Sequence, residues 1–210
     1  MSTPTGPRSI KISDDERGAW TSDRPRRDGR PPRPLDVSVR SRVLRPADRL
    51  RYSPGSIVIV VSPVRAERDR LLQRVIEDRS ALLSLDKVRA LLAGRVAEEE
   101  IEARAEQLLD AALAKRLQAN ESIVIAADTL AREERERYVR LAAAAERPRH
   151  LILVEAGSPA AEDRAALNEL RRSLDAGEMG AEGFHTALRV SGAAVGELKK
   201  ILFRPPPRDD

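Results

Sequence analysis

Residues Ile57–Leu72 read IVIVVSPVRAERDRLL. A run of β-branched apolar residues leads into a turn and then a charged amphipathic helix, the strand–loop–helix context in which a phosphate-binding loop is built. Set on the pattern G-x-x-x-x-G-K-[ST], the eight loop positions are Ser62, Pro63, Val64, Arg65, Ala66, Glu67, Arg68 and Asp69. Both glycines, the lysine and the magnesium-binding hydroxyl are replaced. Glycines let backbone N–H groups close around phosphate, so Glu67 and Asp69 put negative charge where an anionic ligand would sit. Ser62, Arg65 and Arg68 are the side chains left to meet phosphate, with Arg68 at the lysine position. A guanidinium there is larger and planar, so it does not reproduce a compact ammonium. Asp69 is the residue left to hold magnesium in place of the hydroxyl.

Outward from this stretch, short apolar runs alternate with helical patterns. Strands are expected at Ile57–Val61, Ala81–Leu85, Ile123–Ala126 and Leu151–Glu155, with a weaker one at Lys200–Phe203 closing the sheet. Between them, Leu71, Leu72, Val75 and Ile76 mark one helical stripe, and Ile101, Ala105, Leu108, Leu109, Ala112 and Leu117 mark a longer one. Apolar runs separated by helices predict an α/β fold, a mostly parallel five-stranded sheet with helices on both faces, and the strand–loop–helix context of Ile57–Leu72 makes it resemble a P-loop NTPase-like three-layer sandwich. In such a sheet, sites gather at the carboxyl ends of the strands.

The 210 residues fit one domain plus an appendage, and 41% hydrophobic content is enough for a core. Aromatics are only 2%, so Leu, Val, Ile and Ala must fill that core, and stacking platforms for single-stranded nucleic acid are poorly supplied. There is no cysteine, and His150 and His185 are far apart in sequence, so a zinc centre is not expected. No apolar stretch approaches a membrane span and the N-terminus lacks a signal segment, so no membrane partner and a cytoplasmic location are expected. Residues 1–54 carry 13 Lys and Arg against 7 Asp and Glu, and 8 of the 14 prolines. This predicts a disordered basic leader over 1–35, a connecting or edge segment over 36–54, the folded domain over 55–204 and a tail over 205–210. The leader is a solubilising tail or a docking arm for nucleic acid or an acidic protein partner. Deleting the residues before Leu35 separates the two.

The second strand end reads Ser84-Leu85-Asp86-Lys87-Val88-Arg89, and the third reads Ile123-Val124-Ile125-Ala126-Ala127-Asp128-Thr129-Leu130, with Arg135 in the next helix. Here the chain resembles P-loop kinases of the polynucleotide 5′-kinase type, grouped with small AAA-like ATPase domains and zeta-toxin-like kinases. Those proteins have S-x-D-x-x-R after the second strand, D-A-T-N-x after the third with an arginine a few residues on, and a later lid helix with spaced arginines. The likeness runs from Ser56 to Leu174 in order and spacing. It implies Asp86 as the base toward an acceptor hydroxyl and Arg89 as a phosphate holder. It also implies Arg135, Arg164 and Arg171 as contacts to phosphate, and ATP with magnesium as cofactors. The first acidic position of D-A-T-N-x is Ala126, and Asp128, two places on, is the candidate to replace it.

Each of these residues also has an ordinary structural explanation. Asp86 and Asp128 precede helical patterns and are expected as helix N-caps, while Arg164, Arg171 and Arg172 suit a solvated basic face. The first functional expectation is a degenerate member that has lost ATP-dependent phosphoryl transfer and acts by binding a nucleotide-like, nucleic-acid or protein ligand. The second is a working kinase or NTPase with an unusual loop, using Arg68, Asp69 or Asp128, and Asp86. Substrate and oligomeric state do not follow from the chain.

Overall fold

The computed structural model describes residues 41–43 and 49–205. The leader expected over 1–35, part of the 36–54 segment and residues 206–210 lie outside the described residues. All five residues of Ile57–Val61 (β3) are buried, and they alternate with the two-residue period of a strand. Ile57, Ile59 and Val61 face one apolar cluster, while Val58 and Val60 face a second. Such a strand needs cover on both sides, which only a central position in a layered sheet supplies.

In chain order the remaining elements are β1 (Ser41–Val43) and β2 (Leu50–Tyr52) before β3, then α1 (Arg65–Val75), β4 (Leu82–Ser84), α2 (Leu85–Leu92) and α3 (Glu98–Gln118). They are followed by β5 (Ile123–Ala126), α4 (Arg132–Ala144), β6 (Arg149–Glu155), α5 (Asp163–Asp175), β7 (Thr186–Ser191), α6 (Ala193–Glu197) and β8 (Ile201–Phe203). The body of the sheet is five parallel strands in the order β7-β6-β3-β5-β4, and β1 adds a short parallel strand at the β7 edge. The predicted P-loop NTPase-like α/β sandwich is thus the observed one.

One face carries α3, α4 and α5. Helix α3 buries Ala105, Leu109, Leu113 and Leu117, an i, i+4 stripe. Its first turn holds Glu98, Glu99 and Glu100 and its last holds Lys115 and Arg116, both matched to the helix dipole. The other face carries α1 through Leu71, Leu72 and Val75, α6 through Ala194, and a two-stranded ribbon of β2 and β8. β3 therefore sends its connection to one face while β5 and β6 send theirs to the other, which opens a crevice beyond its carboxyl end.

Two expectations are corrected. Lys200–Phe203 does not close the sheet: Ile201–Phe203 pairs with Leu50–Tyr52 in the separate ribbon. The fifth strand is Thr186–Ser191, which pairs with β6 over six residues. The strand expected at Ala81–Leu85 is shorter, because Arg79–Ala81 forms a 3-10 turn and Leu85 already begins α2.

Candidate functional site

The crevice beyond β3 begins with the loop that replaces the phosphate cradle. Strand β3 ends at Val61 and α1 begins at Arg65, so only Ser62, Pro63 and Val64 are non-helical. Without glycine, nothing favours the wide loop, and Arg65 to Asp69 continue as helix. The amides of Glu67 and Arg68 donate to the Val64 carbonyl at 3.1 and 3.2 Å, so they serve the helix. The Ser62 hydroxyl is buried, donates to the Val64 carbonyl at 3.1 Å and accepts from the Val64 amide at 3.2 Å. Gly157, at φ +74°, lies against Val64, where an added Cβ would come within 3.2 Å of its Cγ2. The loop after β6 thus closes over the start of α1.

Arg68 lies in the second turn of α1 and is fully buried. Its Nε donates to Asp69 at 2.8 Å, its Nη1 donates to the Ala127 carbonyl, and its Nη2 is 3.9 Å from Asp86 without a hydrogen-bond partner among the described residues. Asp69, the candidate magnesium ligand, is therefore already paired with a guanidinium.

Arg89 is the hub of the same end of the sheet. Its Nη1 donates to Asp86 at 2.7 Å and to Asp128 at 2.8 Å, and its Nε and Nη2 meet Glu102 at 2.7 and 2.6 Å in a bidentate fork. Glu102 first, then Asp128 and Asp86, hold the Arg89 pKa above its ordinary value against the opposing effect of burial. Glu102 is correspondingly held below the usual carboxylate range by its hydrogen bonds to Arg89. Arg65, largely exposed, brings Nη1 to 3.6 Å from Asp128. Three guanidiniums (Arg65, Arg68, Arg89) and four carboxylates (Asp69, Asp86, Glu102, Asp128) thus form one network with a formal charge of −1. Beside it, between α1 and α2, a cavity of about 230 Å3 is lined by Asp69, Gln73, Ser84, Asp86 and Lys87.

The expected helix caps are not made by the aspartates. Asp86 lies inside the first turn of α2, after Ser84 at the N-cap position. Ahead of α4, whose N-cap residue is Ala131, Glu134 reaches back instead. It accepts from the amides of Asp128 and Thr129 at 2.8 Å each and from the Thr129 hydroxyl at 2.7 Å. This leaves the Asp128 carboxylate to face the arginines, and its Oδ1 is buried without a partner among the described residues.

The predicted phosphate arginines divide. Arg65 and Arg68 join the cluster. Arg135 does not: it is buried, its Nε and Nη2 donate to Glu182 at 3.0 and 2.9 Å, and its Nη1 donates to the Leu130 carbonyl at 2.6 Å. Arg164 is exposed at the start of α5. Arg171 reaches Glu155 at the end of β6 at 2.6 Å, and Arg189 shares the same carboxylate. Sequence reasoning missed Glu102, Glu134, Glu155 and Glu182. Only Glu134 had a local signal, as an acid in the first turn of a helix, where carboxylates favour the helix dipole.

A triphosphate and its magnesium do not fit these residues as they stand. No wide backbone cradle exists, the cation at the lysine position is bound by protein oxygens, and the metal candidate is paired. Among the described residues there is no group of three or more His, Cys, Asp or Glu side chains arranged to hold a metal, and no helix long and apolar enough to cross a membrane.

Residues 68–179, more than half of the chain, match the family model described as AAA domain. The matched span begins at Arg68, after β3 and the shortened loop. Among solved structures the chain is similar to a "putative kinase" from Chloroflexus aurantiacus J-10-fl, at 16% identity and a TM-score of 0.42, over 69% of this chain and 88% of that one. No curated protein matches it.

Proposed function

The chain belongs to the AAA domain family, and we propose that it is a member that keeps the P-loop kinase-like scaffold, has lost ordinary ATP-dependent phosphoryl transfer, and acts by binding a macromolecular ligand. The observation that carries this reading is Arg68: the one cation at the lysine position is fully buried and already donates to Asp69 and to the Ala127 carbonyl. For phosphate to reach it, these contacts must break, and each charge-assisted hydrogen bond contributes roughly 1.5–3 kcal/mol. The network around Arg68 bears a formal −1, so it repels a polyphosphate rather than attracting it.

Titration calorimetry of the purified chain with ATP, with and without magnesium, tests the proposal. The expected result is no measurable heat, and a melting temperature unchanged by millimolar ATP. Micromolar binding that disappears in Arg68→Ala, or magnesium-dependent turnover abolished by Asp86→Asn, would overturn it. Either result would restore the reading of a working kinase or NTPase with Asp86 as base.

A further inference from the structure

We propose that the exposed face of α3 is a self-association surface, on which a second copy of the chain docks its own α3 in antiparallel orientation. The face shares no residue with the ion-pair network and stands independently of the function proposed above.

Helix α3 has two sides. Ala105, Leu109, Leu113 and Leu117 form the buried one. At the α-helical repeat, Glu100, Arg104, Gln107, Leu108, Ala111 and Lys115 share a strip about 100° wide on the opposite side, and all six are exposed. The large apolar side chains left exposed among the described residues are Leu91, in the last turn of α2, and Leu108, in the middle of this strip. The strip borders a groove of about 790 Å3, whose apolar walls are Leu92, Val96 and Ala97 on the α2 side and Leu108 and Ala111 on α3. The small side chains of Ala97 and Ala111 leave room for close approach of a second helix. A leucine and an apolar groove side by side make the surface self-complementary, because in a two-fold pair each Leu108 enters the groove of the other copy.

Charge selects a second copy as the occupant and fixes its direction. The first turn of α3 holds Glu98, Glu99 and Glu100, and the last turn holds Lys115 and Arg116. Of these, Glu100 and Lys115 lie on the strip, equally far from the midpoint between Gln107 and Leu108. An antiparallel copy crossing at that midpoint sets Glu100 of each chain against Lys115 of the other, once at each end, and opposes the two helix dipoles. A parallel pair would instead bring like charges together. Within its own chain Glu100 meets only Arg104, at 3.5 Å, and both side chains are more than half exposed. Such a pair is weak and leaves Glu100 free to take a better partner.

Sedimentation velocity of the full chain at low salt, from about 5 to 200 μM, tests the proposal. The 23.2 kDa chain should shift toward a species of twice that mass as its concentration rises. Leu108→Glu, at an exposed position and with a good helix former, should leave the melting temperature unchanged and weaken the dimer at least about tenfold. Lys115→Glu sets like charges against one another at both ends and should weaken it to a similar degree. Adding Glu100→Lys to that variant restores opposite charges and should bring the dimer back to within about threefold of the unaltered chain, a rescue that damage to the helix would not give. A chain that stays monomeric at the highest concentration would overturn the proposal. So would a dimer that Leu108→Glu leaves intact, which would form through another surface, or one that Lys115→Glu leaves intact, which would exclude the antiparallel register.

Discussion

Arg89 Nη1 donates to Asp128 Oδ2 at 2.8 Å, which joins the first helix after β4 to the carboxyl end of β5. Because the same guanidinium also holds Asp86 and Glu102, it fixes α2, α3 and the β5 end to one another. Arg89→Met would leave Asp128, only 11% exposed, without its main cation. Breaking a buried pair costs about 3–5 kcal/mol, and the exposure of the other two carboxylates reduces this to about 2. Chemical denaturation should show that loss. A change below about 0.5 kcal/mol, the range of neutral surface substitutions, would mean that the network does not hold these elements together.

Arg68 should behave in the opposite way. It is a fully buried cation with one unpartnered nitrogen, and a buried ion pair is often no better than an apolar side chain of similar length. Arg68→Met should therefore leave unfolding free energy within about 1 kcal/mol of the unaltered chain, since Asp69 is exposed enough to be rehydrated. A loss above about 3 kcal/mol would assign to its charge a structural duty at the Ala127 carbonyl.

The pair Arg135 and Glu182 is a sharper case, with side chains 4% and 5% exposed. Glu182→Gln keeps the shape and removes the charge, leaving a buried guanidinium uncompensated, and should cost about 3–5 kcal/mol. In a folded unit of this size, that lowers the melting temperature by about 10 °C. Removing both charges, as Arg135→Met with Glu182→Met, should recover part of the loss. A double variant as unstable as the single one would show that packing, not the uncompensated charge, is responsible.

How far the sequence reveals these arrangements depends on how local their causes are. The β3–α1 unit was legible because five β-branched residues and a helical stripe are consecutive in the chain. β7 was not, since TALRVS follows glycine-punctuated sequence and its partner is fixed only by the sheet. β8 was recognised as a strand but placed in the wrong sheet, because nothing in ILF names LRY as its partner. In the site, Asp86, Arg89 and Asp128 were singled out through the family resemblance and do converge. The carboxylates that engage the arginines, Glu102 on α3 and Glu182 beyond α5, carry no sequence signal, because they arrive through packing of distant elements. Asp128 was expected to cap α4, and the competing cap came from Glu134, inside the helix itself.

His150 gives a pH dependence with a definite sign. Its pKa is lowered from 6.5 to about 4, first by burial and then by electrostatic opposition from the nearby His185 and Arg149. The groups around it are Tyr52, whose ring is 4.5 Å away, His185 at 6.4 Å and the Thr186 hydroxyl. Between pH 6.5 and about 4 the unfolded chain therefore binds a proton that the native chain refuses. The stability associated with neutral His150 is complete above pH 6.5 and is lost as pH falls through that window, by roughly 3 kcal/mol at most. Carboxylates titrate in the same range, so the informative quantity is a difference. At pH 7 the unaltered chain should exceed His150→Gln in unfolding free energy, and the gap should narrow as the pH is lowered to about 4.5. Denaturant titrations at four or five pH values would measure it. A gap that stays constant with pH would mean that His150 protonates as readily in the native chain as in the unfolded one, and that its surroundings are wetter than the packing against Tyr52 implies.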